Sequence, residues 1–242
     1  MDLTETKKLG AIVAGNYKTA EVFEKYGLDF CCKGFKTINE ACEEKGIDPE
    51  SILSELKLIL ADAEKEEKTY NDLSLTELVN HIVSNHHAYV KRVMPVIVAH
   101  VEKISLVHGA NHPELKEVEK IFKKIYGDFT AHLQKEEMVL FPYITAMEKS
   151  LNEGIPAPNA FFGTVANPIA MMEAEHETAG AELEQIKELT HHFTPPADGC
   201  TTYRVTLQEL NEFTRDLHQH VHLENYILHP KAKLLEKKLL GN

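Results

Sequence analysis

Two copies of one short pattern stand out in the 242 residues: His132-x-x-x-Glu136 and His220-x-x-x-Glu224. On a helix, side chains four residues apart lie one above the other, so each pair can grip a common ion. Both pairs interrupt apolar stripes of helical period. One stripe reads Ile125, Phe129, His132, Glu136, Val139, Tyr143; the other reads Leu210, Phe213, Leu217, His220, Glu224, Ile227. A third stripe, Ile169, Met172, His176, Ala179, Leu183, Ile186, carries one more histidine where a core wants an apolar residue. A fourth region has His86 and His87 side by side. His87 keeps step with Val83, Val90, Met94 and Ile97, whereas His86 sits one residue round the helix; periodicity leaves the choice between them open.

The spacing repeats. His132 to His220 and Glu136 to Glu224 each span 88 residues, and His87 to His176 spans 89. The stretches His132 to Pro142 and His220 to Pro230 align at His, Glu, Leu and Pro. The chain therefore reads as two helical hairpins, each bringing one lone histidine and one His-x-x-x-Glu. Gathered by a pseudo-twofold axis, four imidazoles and two carboxylates suit a pair of metal ions. Each ion takes two histidines, Glu136 and Glu224 bridge, and positions remain for a solvent-derived bridge or a small ligand. Imidazole and carboxylate without thiolate favour iron or manganese over a structural zinc. Without an ion, the same groups would each cost several kcal/mol as unpaired buried charge. The nine other histidines, His81, His100, His108, His112, His191, His192, His218, His222 and His229, fall off this geometry and are expected at the surface or behind the ligands.

Cys31-Cys32 is the second chemical signal. Adjacent cysteines close only a strained ring, so no structural disulfide is expected there. The pair either packs a turn or forms an exposed, redox-active thiol site between Gly27 and Gly34, with Lys33 lowering a thiol pKa. On the second reading Cys31 and Cys32 are the candidate catalytic residues, while Cys42 and Cys200 are incidental.

The elements that must position these groups are helical, and the fold class is all-α. From Leu73 onward the period predicts four long helices over 74–106, 114–150, 166–192 and 203–239, an antiparallel four-helix bundle, with a kink at Pro95. Before them stands a small helical unit. A helix over Thr19–Tyr26 stops at Gly27, Thr37 and Glu40 form a capping box, Gly46 ends that helix, and Asp48-Pro49 opens the next. The charged stretch Asp62–Lys68 reads as a linker, which divides the chain into residues 1–70 and 71–242.

With 26 basic and 38 acidic side chains the formal charge is −12, which argues against non-specific binding to nucleic acid or to an anionic membrane. The longest apolar run, Met94–Ala99, is far below the roughly 20 residues that span a bilayer. No secretory leader is visible, and four unevenly spaced cysteines make a reducing cytoplasm the expected setting.

Several of these stretches resemble the RIC (repair of iron centres) family of di-iron proteins. They are Leu28-Asp-Phe-Cys31-Cys32-Lys-Gly34, Glu173-Ala-Glu-His176-Glu-Thr-Ala-Gly180, Thr194-Pro-Pro-Ala-Asp-Gly-Cys-Thr-Thr202 and the two His-x-x-x-Glu…Pro repeats. The resemblance covers nearly the whole chain and implies a double-cysteine domain followed by a hemerythrin-like four-helix bundle. It implies two non-haem iron ions with an oxo or hydroxo bridge, terminal ligands His87, His132, His176 and His220, and bridges Glu136 and Glu224. It selects His87 over His86, because the family pattern has an aromatic residue just before that ligand. This chain departs from the pattern at His86, and at His229 where the first repeat has Phe141; either could become a spare ligand. The implied role is a cytoplasmic stress protein that repairs iron–sulfur clusters damaged by nitric oxide or peroxide, by supplying iron. Its expected partners are damaged iron–sulfur proteins, small ligands such as nitric oxide or oxygen, and a second copy of the chain as a homodimer. The competing reading is a di-iron enzyme or sensor acting on nitric oxide, peroxide or oxygen, with nitric oxide or peroxide reductase activity.

Overall fold

The computed structural model describes residues 3–62 and 70–241. Residues 63–69, most of the expected linker, lie outside the described residues; the boundary drawn after residue 70 falls within a short 3-10 turn, Tyr70–Asp72. The N-terminal unit consists of α1 (Leu9–Gly15), α2 (Ala20–Lys25), α3 (Ile38–Lys45) and α4 (Pro49–Asp62), of which the sequence reading had not foreseen α1. The Thr37–Glu40 capping box is present. The Glu40 N–H donates to Thr37 Oγ1 at 3.2 Å, and the Thr37 N–H donates to Glu40 Oε2 at 2.8 Å. Gly46, at φ 67°, ends α3 in the left-handed conformation that only glycine adopts without cost.

Four long helices follow. The first joins α5 (Leu75–His81) through a π-helical segment, Ile82–His87, to α6 (Ala88–His108), which runs through Pro95 without interruption. The second joins α7 (Glu114–Lys135) through a π segment, Glu136–Leu140, to α8 (Phe141–Glu153). The third is α9 (Ala166–Leu189). The fourth joins α10 (Thr201–Leu223) through the π segment Glu224–Leu228 to α11 (His229–Leu240). α6 packs on α7 and α10, and α9 packs on the same two, which closes an antiparallel four-helix bundle. Among the described residues no helix is long and apolar enough to cross a membrane.

The π turns have a cause in the sequence. Pro142 and Pro230 stand two residues beyond the second and fourth helices' π segments. A proline inside a helix has no N–H to donate, and its ring strikes the carbonyl one turn back; a widened turn moves that carbonyl aside. The extra residue also shifts the helical register. Beyond Glu136 the buried residues are therefore Leu140, Phe141, Ile144 and Met147, while Val139 and Tyr143, expected on the stripe, are only half-buried. In the first helix the same widening buries both His86 and His87. The third helix stops at Leu189, short of the expected 192. His191, His192 and Phe193 turn left-handed (φ 48°, 58° and 57°), and Thr190 Oγ1 donates to the Ile186 carbonyl at 2.8 Å.

Apolar packing falls into two clusters along the bundle. One runs from Val90, Leu133, Ala179 and Val221 toward one end and takes in Leu9, Ile12, Phe23, Phe30 and Ile38 of the N-terminal unit. The other holds Leu78, Ile82, Ile144, Met172 and Leu228. Between them lies a layer of buried polar residues, one or two from each long helix. The N-terminal unit sits close against the fourth helix. A Cβ on Gly10 would lie 2.3 Å from the Tyr226 ring, and one on Gly34 would lie 2.6 Å from the Tyr226 hydroxyl. Gly10→Ala therefore overpacks this seam, and urea unfolding is expected to show a loss of roughly 1–3 kcal/mol. An unchanged midpoint would mean that the ring yields without cost.

Candidate metal centre

The polar layer consists of His87, His132, Glu136, His176, His220 and Glu224, each at most 1% exposed. The π segments place Glu136 and Glu224 at the start of their widened turns and His87 at the end of its own. His132 and His220 lie one α-turn earlier on the same helices, and His176 stands midway along α9. The ligand atoms form two groups, His87–Glu136–His220–Glu224 and His132–Glu136–His176–Glu224, each within 4.8 Å. Both carboxylates belong to both groups. Glu136 Oε2 lies 3.4 Å from His87 Nε2 and 3.3 Å from His132 Nε2. Glu224 Oε1 is 3.0 Å from His220 Nε2, and Oε2 is 3.1 Å from His176 Nε2.

The imidazoles face one another through Nε2, at 3.2 Å for His87 and His220 and 3.0 Å for His132 and His176. Three of them turn Nδ1 outward to a fixed acceptor: His87 to Glu137 Oε1 at 2.7 Å, His132 to Glu175 Oε2 at 2.8 Å, His176 to Asn225 Oδ1 at 3.0 Å. An Nδ1–H so committed leaves a lone pair on Nε2, the tautomer a metal ligand needs. Two such lone pairs at hydrogen-bond distance repel unless a cation lies between them. Both oxygens of Glu136 and Oε2 of Glu224 are buried without a hydrogen bond. Orphaned oxygens facing paired lone pairs fit a hard or borderline cation.

Without an ion, protons take up the charge. Burial lowers the His87 and His132 pKa values, but the nearby carboxylates outweigh it, raising His87 to about 10 and His132 to about 9. In His220 burial wins, and its pKa falls below the ordinary value. Burial works to raise Glu136 and Glu224, and the Glu224 charge adds to this at Glu136, yet the surrounding imidazoles hold both below the usual carboxylate range.

Three supporting residues escaped the sequence reading, although each adjoins a core residue in the chain: Glu137 follows Glu136, Glu175 precedes His176, and Asn225 follows Glu224. One position round a helix, each reaches a histidine on a neighbouring helix. His222 and His229, expected at the surface or behind the ligands, are fully buried. His222 packs among Phe30, Tyr17 and Tyr226, and burial drives its pKa down to about 3.

The thiol pair is not the exposed site that one of its two readings required. Cys31 is buried and Cys32 half-buried, their sulfurs 3.8 Å apart. The Cys31 pKa is raised, not lowered: hydrogen bonding to Cys32, burial and the charge of Asp29 all disfavour its thiolate. The acidic thiol is Cys200, at the start of α10, brought down to about 7 by the Tyr203 N–H and by His108 Nε2 at 3.2 Å. Cys31 and Cys32 nevertheless touch the histidine layer. Asn225 donates to the Cys31 carbonyl at 3.4 Å while accepting from His176, and Cys32 Sγ lies 3.5 Å from the His176 carbonyl. A cleft of about 420 Å³ beside them is lined by Asp29, Cys31, Cys32, Gly180 and His218.

The pKa shifts of the metal-free protein make its stability depend on pH. His87 and His132 titrate above the free value of 6.5, so their stabilisation is complete below that pH and is lost as the pH rises through about 9 and 10. Between about pH 7 and pH 10 the melting temperature of chelator-stripped protein is expected to fall. Metal-loaded protein, with ions in place of protons, holds its value over that range. Calorimetry of both forms checks this; equal declines would count against it.

Residues 78–232 match the model of the hemerythrin HHE cation binding domain, and residues 5–59 match ScdA_N, a domain of unknown function (DUF542). The chain is 33% identical over 231 residues to the "Probable iron-sulfur cluster repair protein" of Haemophilus influenzae, covering 93% of this chain and 96% of that one. It is 32% identical over 226 residues, with the same coverage, to the "Iron-sulfur cluster repair protein YtfE" of Yersinia pseudotuberculosis. The protein of that name in Yersinia pestis is 31% identical over 226 residues. With both segments matched and such relatives aligned over nearly their whole length, the chain belongs to the hemerythrin-type family of iron–sulfur cluster repair proteins.

Proposed function

We propose that this protein holds two iron ions between its bundle helices and supplies iron to iron–sulfur clusters damaged by nitrosative or oxidative stress. The observation that carries the reading is the pair of buried carboxylates shared between two imidazole pairs, with oxygens that no protein donor satisfies. The names of its relatives point the same way. His87 and His220 hold one ion and His132 and His176 the other, with Glu136 and Glu224 bridging; an oxo or hydroxo bridge between the ions completes the set. When bound, the pair is a store of exchangeable iron, and that iron is cargo.

The donor set favours transfer. Each group offers four side chains, all nitrogen or oxygen donors, which leave positions of an octahedral ion open to an incoming ligand. Thiolate and sulfide are the softer donors that iron–sulfur clusters use, so a depleted cluster offers the iron a competing ligand set. We assign residues 1–70 to docking and residues 71–242 to metal binding. Cys32, half-buried beside the cleft, is the thiol available to a client, while Cys31 stays protonated beneath it. A reducing cytoplasm suits four free cysteines.

Elemental analysis with an anaerobic optical spectrum tests the centre. About two irons per chain are expected, falling in Glu136→Ala and in His220→Ala together with the melting temperature, because metal binding is linked to folding. Wild-type-like iron in both variants would refute the site. The thiol role is tested by repair of a nitric-oxide-damaged [4Fe–4S] protein. The double change Cys31→Ser with Cys32→Ser is expected to slow repair while leaving iron content intact, and an undiminished rate removes the thiols from the mechanism.

A further inference from the structure

The four core imidazoles are not equally well supported. His87 and His132 are backed by carboxylates, Glu137 and Glu175, themselves paired with Lys91 and Lys135. His176 is backed only by a neutral amide, and His220 Nδ1 is buried with no partner. Each proposed ion thus has one firmly anchored and one weakly anchored histidine.

A further buried imidazole lies parallel to each weakly anchored one. His86 stacks on His220 with centroids 5.6 Å apart and planes at 7°; His229 stacks on His176 at 6.3 Å and 3°. The ring of His86 is wired as the core ligands are: its Nδ1 donates to Asp216 Oδ1 at 3.0 Å. His229 Nδ1 lies 3.4 Å from Glu173 Oε1, close to a carboxylate but without a hydrogen bond. In both, Nε2 is buried with no hydrogen-bond partner, and Asp216 Oδ2 is orphaned as well. A carboxylate-committed Nδ1 with a free Nε2 lone pair is the outer support of a metal ligand. Such a lone pair, buried and unused, is a cost that both outer rings carry. Asp216 and Glu173 lead outward. Asp216 also lines a surface hollow where Glu21, Glu24, Glu212 and Asp216 outnumber the cations Lys18 and Arg215, a setting that draws positive ions.

We propose that His86 with Asp216, and His229 with Glu173, are transit ligands through which each iron leaves and enters the centre. This rests on the two-iron reading above. The step is a ligand exchange: the bond from iron to His220 or His176 breaks as a bond to the free nitrogen of His86 or His229 forms. The Nδ1 protons stay on their rings, and no electron moves.

The test is anaerobic release of ferrous iron from loaded full-length protein to a ferrous chelator, followed by absorbance. In His86→Phe, which keeps the stacked ring without its nitrogens, half of the iron is expected to leave roughly tenfold more slowly, the factor typical of losing one metal-supporting group. His229→Phe slows the other half, and equilibrium loading stays at the wild-type value in both. Asp216→Asn, which leaves the imidazole in place, slows the same half as His86→Phe. Unchanged release overturns the proposal. So does faster release, which marks these rings as mere packing support for His220 and His176. Wild-type protein that fails to load two ions would instead defeat the two-iron reading itself.

Discussion

Two carboxylates buried between two apolar cores set the terms for the rest of this structure. Neither Glu136 nor Glu224 could remain charged there alone, since the penalty for an unpaired buried ion is several kcal/mol. Four imidazoles answer them, one from each long helix. Those imidazoles then face each other at about 3 Å through atoms that would repel without a proton or metal ion between them. The layer is therefore incomplete as protein alone. Its cost is what makes a cation part of the fold, and the raised basicity of His87 and His132 is the same demand expressed in protons.

Three of the four helices that carry the layer are distorted there. A widened turn lies at the layer in three of the four bundle helices, and in two of them a proline just beyond makes an ordinary turn costly. Pro142 and Pro230 stand just beyond two of the widened turns; the turns rotate the residues beyond Glu136 and Glu224 by one position, so that each half of the helix meets a different apolar cluster. Glu137, Glu175 and Asn225, one residue round from the core, then reach across to steady imidazoles of neighbouring helices. Charge in the layer is thus balanced within it, and its orientation is held from outside.

Placement of the thiols follows electrostatics more than sequence neighbourhood. Lys33 next to the pair suggested an acidic thiol, but the segment folds so that Asp29 accepts from both cysteine amides, and Cys31 sinks into the N-terminal core. Burial beside a carboxylate keeps that thiol protonated. Cys200 has the opposite surroundings, exposed at a helix start beside His108, and its thiolate is favoured. Gly10 and Gly34 allow the Tyr226 ring to close this unit onto the fourth helix, which brings the double cysteine within one asparagine of His176.

The all-α class, the four long helices, the capping box at Thr37 and five of the six residues of the polar layer were legible in the sequence. Each depends on a short-range rule: a period of 3.6, a cap three residues long, or a His-x-x-x-Glu on a stripe that should be apolar. The internal repeat extended those rules across 88 residues, because duplicated hairpins carry duplicated patterns. What stayed hidden depended on contacts between helices. Periodicity could not choose between His86 and His87, because a π turn buries both; only packing brings His87 Nε2 to Glu136 and leaves His86 stacked behind His220. Tertiary structure alone likewise decided the burial of Cys31, the acidity of Cys200 and the pairing of each imidazole with its outer acceptor. Burial, acidity and these cross-helix bonds are set by neighbours distant in the chain, and a local pattern carries no record of them.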